Sequence, residues 1–393
     1  MTLKLALCLC LCMCGVHNLK LEQVLMFSRH NIRQPLTDNL QRFGADVPTS
    51  EYKAGELTPK GAVLEKYMGE YLANWLHESD LLPRSCPDKN EVYVYANTRQ
   101  RTRKTAEAFV EGAFPSCGVG VYSIDSEKMD PIFNPIIRNT SQHMKEVIIG
   151  EMKSNLKKLS LKDSYVELDR MIDLADAPIC KEEHFCSFAN TSDAIVYETG
   201  EEPNLIGPIY YGNVMVDAYL MAYFDGTPME SIANGKLKNL ERLELLGKIT
   251  QANLVVRFYS PNLGRETAKP LLNYIYDALN TERKFILMVG HDSNIQSLLA
   301  ALDFKDFVLP EQIQSTPIGG KLVFQRWLEE DTNERFLKIS YVYPTMKQIR
   351  DGVKLSVENP PRWVVVELNN CSAPTSNGLI SWKCFMSLLE NVK

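Results

Sequence analysis

The chain has 393 residues, of which 45% are hydrophobic and 23% charged, and its formal net charge is −6. That length buries a large core and leaves room for two domains, while the ordinary composition excludes a disordered or fibrous chain. The acidic balance gives no footprint for nucleic acid and no polybasic surface for a membrane, so a local cluster of arginines stands out as a site.

In chain order, Lys4 precedes an apolar run over residues 5 to about 16. The run is too short to span a bilayer and has the length of an export signal's apolar core. Residues 1–17 are therefore read as a signal with an approximate end, leaving no membrane anchor once it is removed. The next element is a strand over 23–28 (QVLMFS), which runs straight into Arg29-His30-Asn31-Ile32-Arg33. A helix is expected over 58–79, opened by Thr58 as cap and Pro59 at the first helical position. A second strand, 91–96, is followed closely by a helix over 101–114.

From about 131 to 280 the character changes to long helical segments, 141–159, 161–175, 209–224, 241–258 and 264–281, with strand signals almost absent. Strands return at 284–290, 321–327, 336–343 and 362–368. The expected architecture is α/β: a mixed, mainly parallel sheet flanked by helices, built from 18–130 plus 281–393. A mostly helical domain, 131–280, is inserted in it.

Without the signal, six cysteines remain: Cys86, Cys117, Cys180, Cys186, Cys371 and Cys384. An even number behind an export signal predicts disulfides. Proximity favours Cys86–Cys117, Cys180–Cys186 and Cys371–Cys384. No C-x-x-C or H-E-x-x-H pattern supports zinc.

Two strands end in reactive sequences: 23–28 in Arg29-His30-Asn31-Ile32-Arg33, and 284–290 in His291-Asp292-Ser293-Asn294. Ligands of open α/β sheets sit outside the carboxyl ends of the strands. If these two strands are parallel neighbours, both loops meet at one site. Each loop is also expected to run into a helix, whose N-terminus favours an anion. Arg29, Arg33 and Arg101 offer forked donors for phosphate oxygens, and His291 a further one. In that field His30 can attack phosphorus and Asp292 can give a proton to the departing alcohol, with no metal required. Each piece alone has a plainer reading. Arg29 and Arg33 could be surface ion-pair partners, His291-Asp292 a capped helix start, and Arg101 part of a solvated basic face with Arg99, Arg103 and Lys104. The conjunction of the two loops favours the site.

The segments SRHNIRQPL, QRTRKTAEAF and GHDSNI resemble the histidine acid phosphatases, a branch of the histidine phosphatase superfamily. Their pattern is R-H-G-x-R-x-P with H-D later in the chain. The resemblance spans essentially the whole mature chain. It implies His30 as nucleophile, Asp292 as proton donor, Arg29, Arg33, Arg101 and His291 as phosphate ligands, and no cofactor. Asn31 departs from the usual glycine, and its side chain is expected to take up room at the mouth of the site. R-H-N, MDPIFNPII, VGHDSNI and TPIGGK are similar to the glucose-1-phosphatase group, which implies a small-molecule sugar phosphate as substrate and the periplasm as location. By the same likeness Glu202, in GEEPN, lies over the substrate pocket; its plain reading is a solvated loop acid. A phytase is the alternative, and a binding protein without turnover a third reading. The oligomeric state stays open.

Overall fold

The structure, a computed structural model, describes residues 18–37, 39–44, 52–372 and 377–393. The expected export signal lies outside the described residues. Strand β1 (Leu19–Arg29) opens the fold. Helix α1 (Pro59–Glu78) follows, with the Thr58 hydroxyl accepting a hydrogen bond from the Gly61 N–H. Strand β2 (Val92–Ala96) leads through a short turn into α2 (Gln100–Ala113), and β3 (Val121–Tyr122) adds a brief edge.

A helical stretch comes next: α3 (Gln142–Lys158), α4 (Lys162–Met171), α5 (Pro178–Glu183), α6 (Pro208–Asp225), α7 (Leu240–Phe258) and α8 (Pro261–Leu279). A hairpin of β4 (Ala194–Val196) and β5 (Asn204–Ile206) interrupts it. Strand β6 (Phe285–Gly290) then enters α9 (Asp292–Ala301). The chain continues through β7 (Lys321–Glu329), β8 (Glu334–Tyr343), α10 (Met346–Asp351), β9 (Arg362–Val365), β10 (Leu379–Ser381) and α11 (Trp382–Val392). The sequence reading did not include α11 or the two-residue β3.

The main sheet runs β10-β8-β7-β1-β6-β2-β3, with β9 also paired to β8. The run β3-β2-β6-β1 is parallel, and the β7–β10 side is antiparallel. Alternate residues of β1 feed two cores. Leu25 and Phe27 join Leu272 and Ile275 of α8, Leu298 of α9 and Phe385 of α11. Val24 and Met26 join Leu72 and Leu76 of α1 and Phe109 of α2 on the other face. Burial on both faces explains why this strand reads as an unbroken apolar run. Helix α8, which the sequence reading put with the helical segment, thus packs beneath the sheet. A third core gathers Leu168, Met215, Leu246 and Ile249 of α4, α6 and α7 with Ile32, Leu64 and Ile318 from beside the sheet.

The disulfides Cys86–Cys117, Cys180–Cys186 and Cys371–Cys384 are those proximity predicts. One expectation is corrected. The loop after β1 does not run directly into an α-helix: Arg33 bridges to Leu57, and only the short 3-10 turn Leu40–Phe43 precedes α1 among the described residues. The reason is backbone pairing with the returning chain, Gln34 N–H to the Glu56 carbonyl, Gly55 N–H to the Pro35 carbonyl and Thr58 N–H to the Ile32 carbonyl. Among the described residues, no helix is long and apolar enough to cross a membrane.

Candidate active site

Strands β1 and β6 are parallel neighbours, with Arg29 opposite Gly290. The His30 N–H continues the ladder to the Gly290 carbonyl, 3.1 Å, and the Asn97 N–H reaches the Val289 carbonyl, 3.0 Å. Three strand ends therefore open on one edge of the sheet, and α9 starts there at Asp292. They floor a cavity of about 190 Å³ whose walls come from α2, α6, α7 and the loops around 202 and 314–316. All seven side chains named from the sequence line it: Arg29, His30, Arg33, Arg101, Glu202, His291 and Asp292.

Arg29, only 1% exposed, donates Nη1 to the Thr316 carbonyl at 2.6 Å, and its Nη2 lies 3.0 Å from Asp292 Oδ2. His30 and His291 sit edge to face, ring centroids 5.5 Å apart. The His30 Nδ1 meets the Asn31 carbonyl oxygen at 2.8 Å. A carbonyl only accepts, so Nδ1 carries the proton and Nε2 keeps its lone pair. Asn97 Nδ2 lies 2.7 Å from His291 Nε2.

Burial, then the charges of Arg101, His291, Arg33 and Arg29, push His30 well below its ordinary value of 6.5. Burial and Arg101 push His291 down likewise. For Asp292 burial works upward, but Arg29 and then Arg33 outweigh it, so the carboxyl stays below its usual 3.8. Burial and the adjacent Arg33 pull Arg101 down to about 9, which leaves it cationic at neutral and acid pH.

Besides Arg29 with Asp292, two more arginines already hold carboxylates. Arg33 grips Asp217 with both Nη atoms, at 2.8 and 2.9 Å. Arg257 Nη2 lies 2.9 Å from Glu202 Oε2, and burial pushes Glu202 above its ordinary value against that partner. The Nε atoms of Arg29, Arg33 and Arg101 are buried without a hydrogen-bond partner. Three orphaned donors on the walls of one cavity suit an anion that accepts from several sides. Among the described residues, no group of three His, Cys, Asp or Glu side chains could hold a metal ion.

The profile of the histidine phosphatase superfamily (branch 2) matches residues 18–342. The chain belongs to this superfamily. A glucose-1-phosphatase from Providencia rettgeri is 39% identical over 383 residues, 95% of this chain and 92% of the relative. Phytase AppA of Escherichia coli (strain K12) is 28% identical over 402 residues, 95% of this chain and 92% of its own. The solved phytase from Citrobacter braakii superposes with a TM-score of 0.85 at 28% identity, covering 95% of this chain and 98% of that one. The protein is accordingly a phosphoric monoester hydrolase of the histidine acid phosphatase type.

Within this phosphatase, one sequence expectation about the site fails. Asn31 does not occupy the mouth: its side chain turns inward and donates Nδ2 to Glu65 Oε2 at 2.9 Å. Its Oδ1 accepts the Ile32 N–H at 2.9 Å, which holds the amide in that pose. The sequence reading also missed Asn97, Asn213, Asp217, Arg257 and Gln314. Each is a lone polar residue whose place in the site is set by distant packing, and no local pattern announces it.

Proposed function

We propose that this phosphatase hydrolyses sugar phosphomonoesters, glucose 1-phosphate foremost, through a phosphohistidine on His30, in the periplasm after loss of residues 1–17. The observation that carries the reading is the parallel pairing of β1 with β6, which sets His30 and Asp292 in one cavity beside three arginines with unpartnered Nε donors. In this reading Arg29, Arg33, Arg101 and His291 bind the phosphate. Arg33 keeps Asp217 on both Nη atoms, which leaves Nε as its unpartnered donor.

His30 Nε2 attacks phosphorus, an N–P bond forms and the bond from phosphorus to the sugar oxygen breaks. The leaving oxygen takes the proton of Asp292. In the resting cavity Asp292 lies on Arg29 and is held low. A bound phosphate competes for Arg29, which lets the Asp292 carboxyl rise and carry that proton. Water then attacks the phosphohistidine, the Asp292 carboxylate accepts the water's proton, and inorganic phosphate leaves with His30 restored. The charge spread over the transferring group is met by fixed guanidinium donors, which need no reorganisation during the step.

Four arginines face three carboxylates on the cavity walls: Arg29, Arg33, Arg101 and Arg257 against Glu202, Asp217 and Asp292. With neutral histidines that excess suits one phosphate and a hydroxyl-rich partner better than a ring carrying six phosphates. The second reading, a phytase, draws on the phytase likenesses and on Arg257 as an outer cation. Phosphate release from glucose 1-phosphate, other sugar phosphates and phytate, compared at acid pH, tests the choice. A kcat/KM highest on phytate overturns the sugar-phosphate reading. Failure to release phosphate from p-nitrophenyl phosphate would favour ligand binding without turnover.

A further inference from the structure

Behind the His30 loop, away from the cavity, lies a fully buried ion pair. Lys321 Nζ and Glu65 Oε1 are 2.7 Å apart, and both side chains are 0% exposed. The ammonium also donates to Ser28 Oγ at 2.9 Å and to the Gly319 carbonyl at 3.0 Å, so its three protons are all used. The second Glu65 oxygen accepts Asn31 Nδ2. The Gly319 N–H returns to the His30 carbonyl at 3.2 Å. Gly319 has φ +66° and packs so close that a Cβ there would stand 2.7 Å from Asn31 Nδ2. The Asn31 N–H donates to Thr105 Oγ1 at 3.1 Å. The peptide units on both sides of residue 31 are thus held by groups that do not line the cavity.

A buried pair of this kind gains little net stability over apolar side chains, so its presence under a reactive loop asks for another account. The account lies in what it fixes. The Asn31 carbonyl is the acceptor for His30 Nδ1. Its orientation decides which ring nitrogen carries the proton and where the other one points.

We propose that Asn31, Glu65 and Lys321 act as one unit of positioning residues that holds the Asn31 carbonyl on His30 Nδ1 and so aims the Nε2 lone pair into the cavity. The inference rests on the reading of His30 as nucleophile. The residue that departs from the family's glycine is then an anchor tied to a charge pair beneath the nucleophile, with no direct part in choosing the substrate. A small misplacement of a reacting atom costs up to roughly 10²-fold in rate, which sets the size of the effect to look for.

The test follows formation of the phosphoenzyme from p-nitrophenyl phosphate by rapid quench in the wild type, in Asn31→Gly, in Glu65→Leu with Lys321→Leu, and in all three changes together. Removing both charges at once leaves neither ion unpaired. Asn31→Gly restores the family pattern, so it is expected to fold. The burst rate should drop about ten- to a hundredfold in Asn31→Gly. Competitive inhibition by inorganic phosphate should stay within about threefold, since no phosphate ligand is touched. The triple variant should be no slower than the slower parent, because the three side chains form one unit. Nitrogen-15 spectra of labelled histidine should give a single Nδ1–H form for His30 in the wild type and a mixture in Asn31→Gly. That spectrum decides the matter even where the double variant fails to fold. An unchanged burst rate with an unchanged tautomer overturns the proposal, and so do losses that simply multiply. If the wild type forms no acid-labile phosphoenzyme, the nucleophile reading falls first and takes this inference with it.

Discussion

The two walls of the cavity are built differently. The floor is three strand ends: His30 and Arg29 close β1, His291 and Asp292 follow β6, and Asn97 follows β2. The roof is helical and looped: Asn213 and Asp217 sit on α6, Arg257 on α7, and Glu202 just before β5. The floor is locked by ladder hydrogen bonds and burial, while the roof is joined to it through the Arg33–Asp217 pair. In the proposed reading the contrast separates bond-breaking, on the floor, from choice of leaving group, under the roof. It can be broken by finding a floor residue that alters selectivity, or a roof residue that abolishes turnover on every substrate.

The largest effect belongs to the floor. If His30 is the nucleophile as proposed, His30→Ala removes the covalent route for any leaving group, and kcat should fall by more than about 10⁴-fold on glucose 1-phosphate and p-nitrophenyl phosphate alike. Asp292→Asn should divide substrates. General acid assistance is worth roughly 10²–10⁴-fold, so sugar phosphates should lose about that much. The burst on p-nitrophenyl phosphate should lose far less, because nitrophenolate leaves without a proton. Equal losses on the two would take Asp292 out of the donor role.

Acid should act through the floor as well. His30 is held well below 6.5, so the lone pair survives mild acid. Protonation consumes it only at lower pH. The acid limb of kcat/KM should therefore fall below 6.5, at roughly tenfold per pH unit. Stability carries the same sign. Below 6.5 the unfolded chain takes up protons at His30 and His291 that the folded chain refuses, so stability present above 6.5 declines as pH falls towards the lowered folded values. An acid limb at or above 6.5 would mean that His30 is not held neutral by burial and the arginines.

The roof gives smaller effects. Glu202→Gln keeps a hydrogen-bonding partner for Arg257 but removes one of three carboxylates. The ratio of phytate to glucose 1-phosphate hydrolysis should rise roughly three- to tenfold, the equivalent of about 1 kcal/mol. Asn31→Gly alone should leave that ratio in place, since the side chain faces Glu65. Chelation should do least. Dialysis against EDTA should leave activity within about twofold, the arginines supplying the charge neutralisation; loss restored only by a divalent ion would sink the proposed chemistry.

The β1 and β6 ends of the floor were legible in the sequence because they are local; Asn97, at the end of β2, was not. An apolar run that stops at Arg29-His30, and another that stops at His291-Asp292, state both the strand and its reactive end within a dozen residues. Short-range cysteine pairs were legible for the same reason. The roof was not. Asp217 and Arg257 each look like one more polar residue on a helix, and only the packing of α6 and α7 turns them inward. Glu65 is in sequence one more acidic residue on a helix, yet it lies fully buried against Lys321 of β7. The direction of the Asn31 side chain could not be read without that pair.

The neighbours of β1 carry one more consequence, for how the protein comes into being. This strand lies between β6 and β7, so residues 24–29 pair with 285–290 on one side and residues 24–28 with 321–325 on the other. While the chain is being made, or threaded through a membrane unfolded, β1 emerges first and waits for almost the whole remaining polypeptide. Contacts of such long sequence separation close late and slowly. Until they close, a highly apolar strand has both edges open, which is the geometry that invites aggregation. The proposed site is therefore complete only once β6 and β7 have joined β1. A nascent fragment ending before residue 285 carries the proposed nucleophile but neither the proposed proton donor nor either flanking strand, and it should show no phosphatase activity and a strong tendency to aggregate.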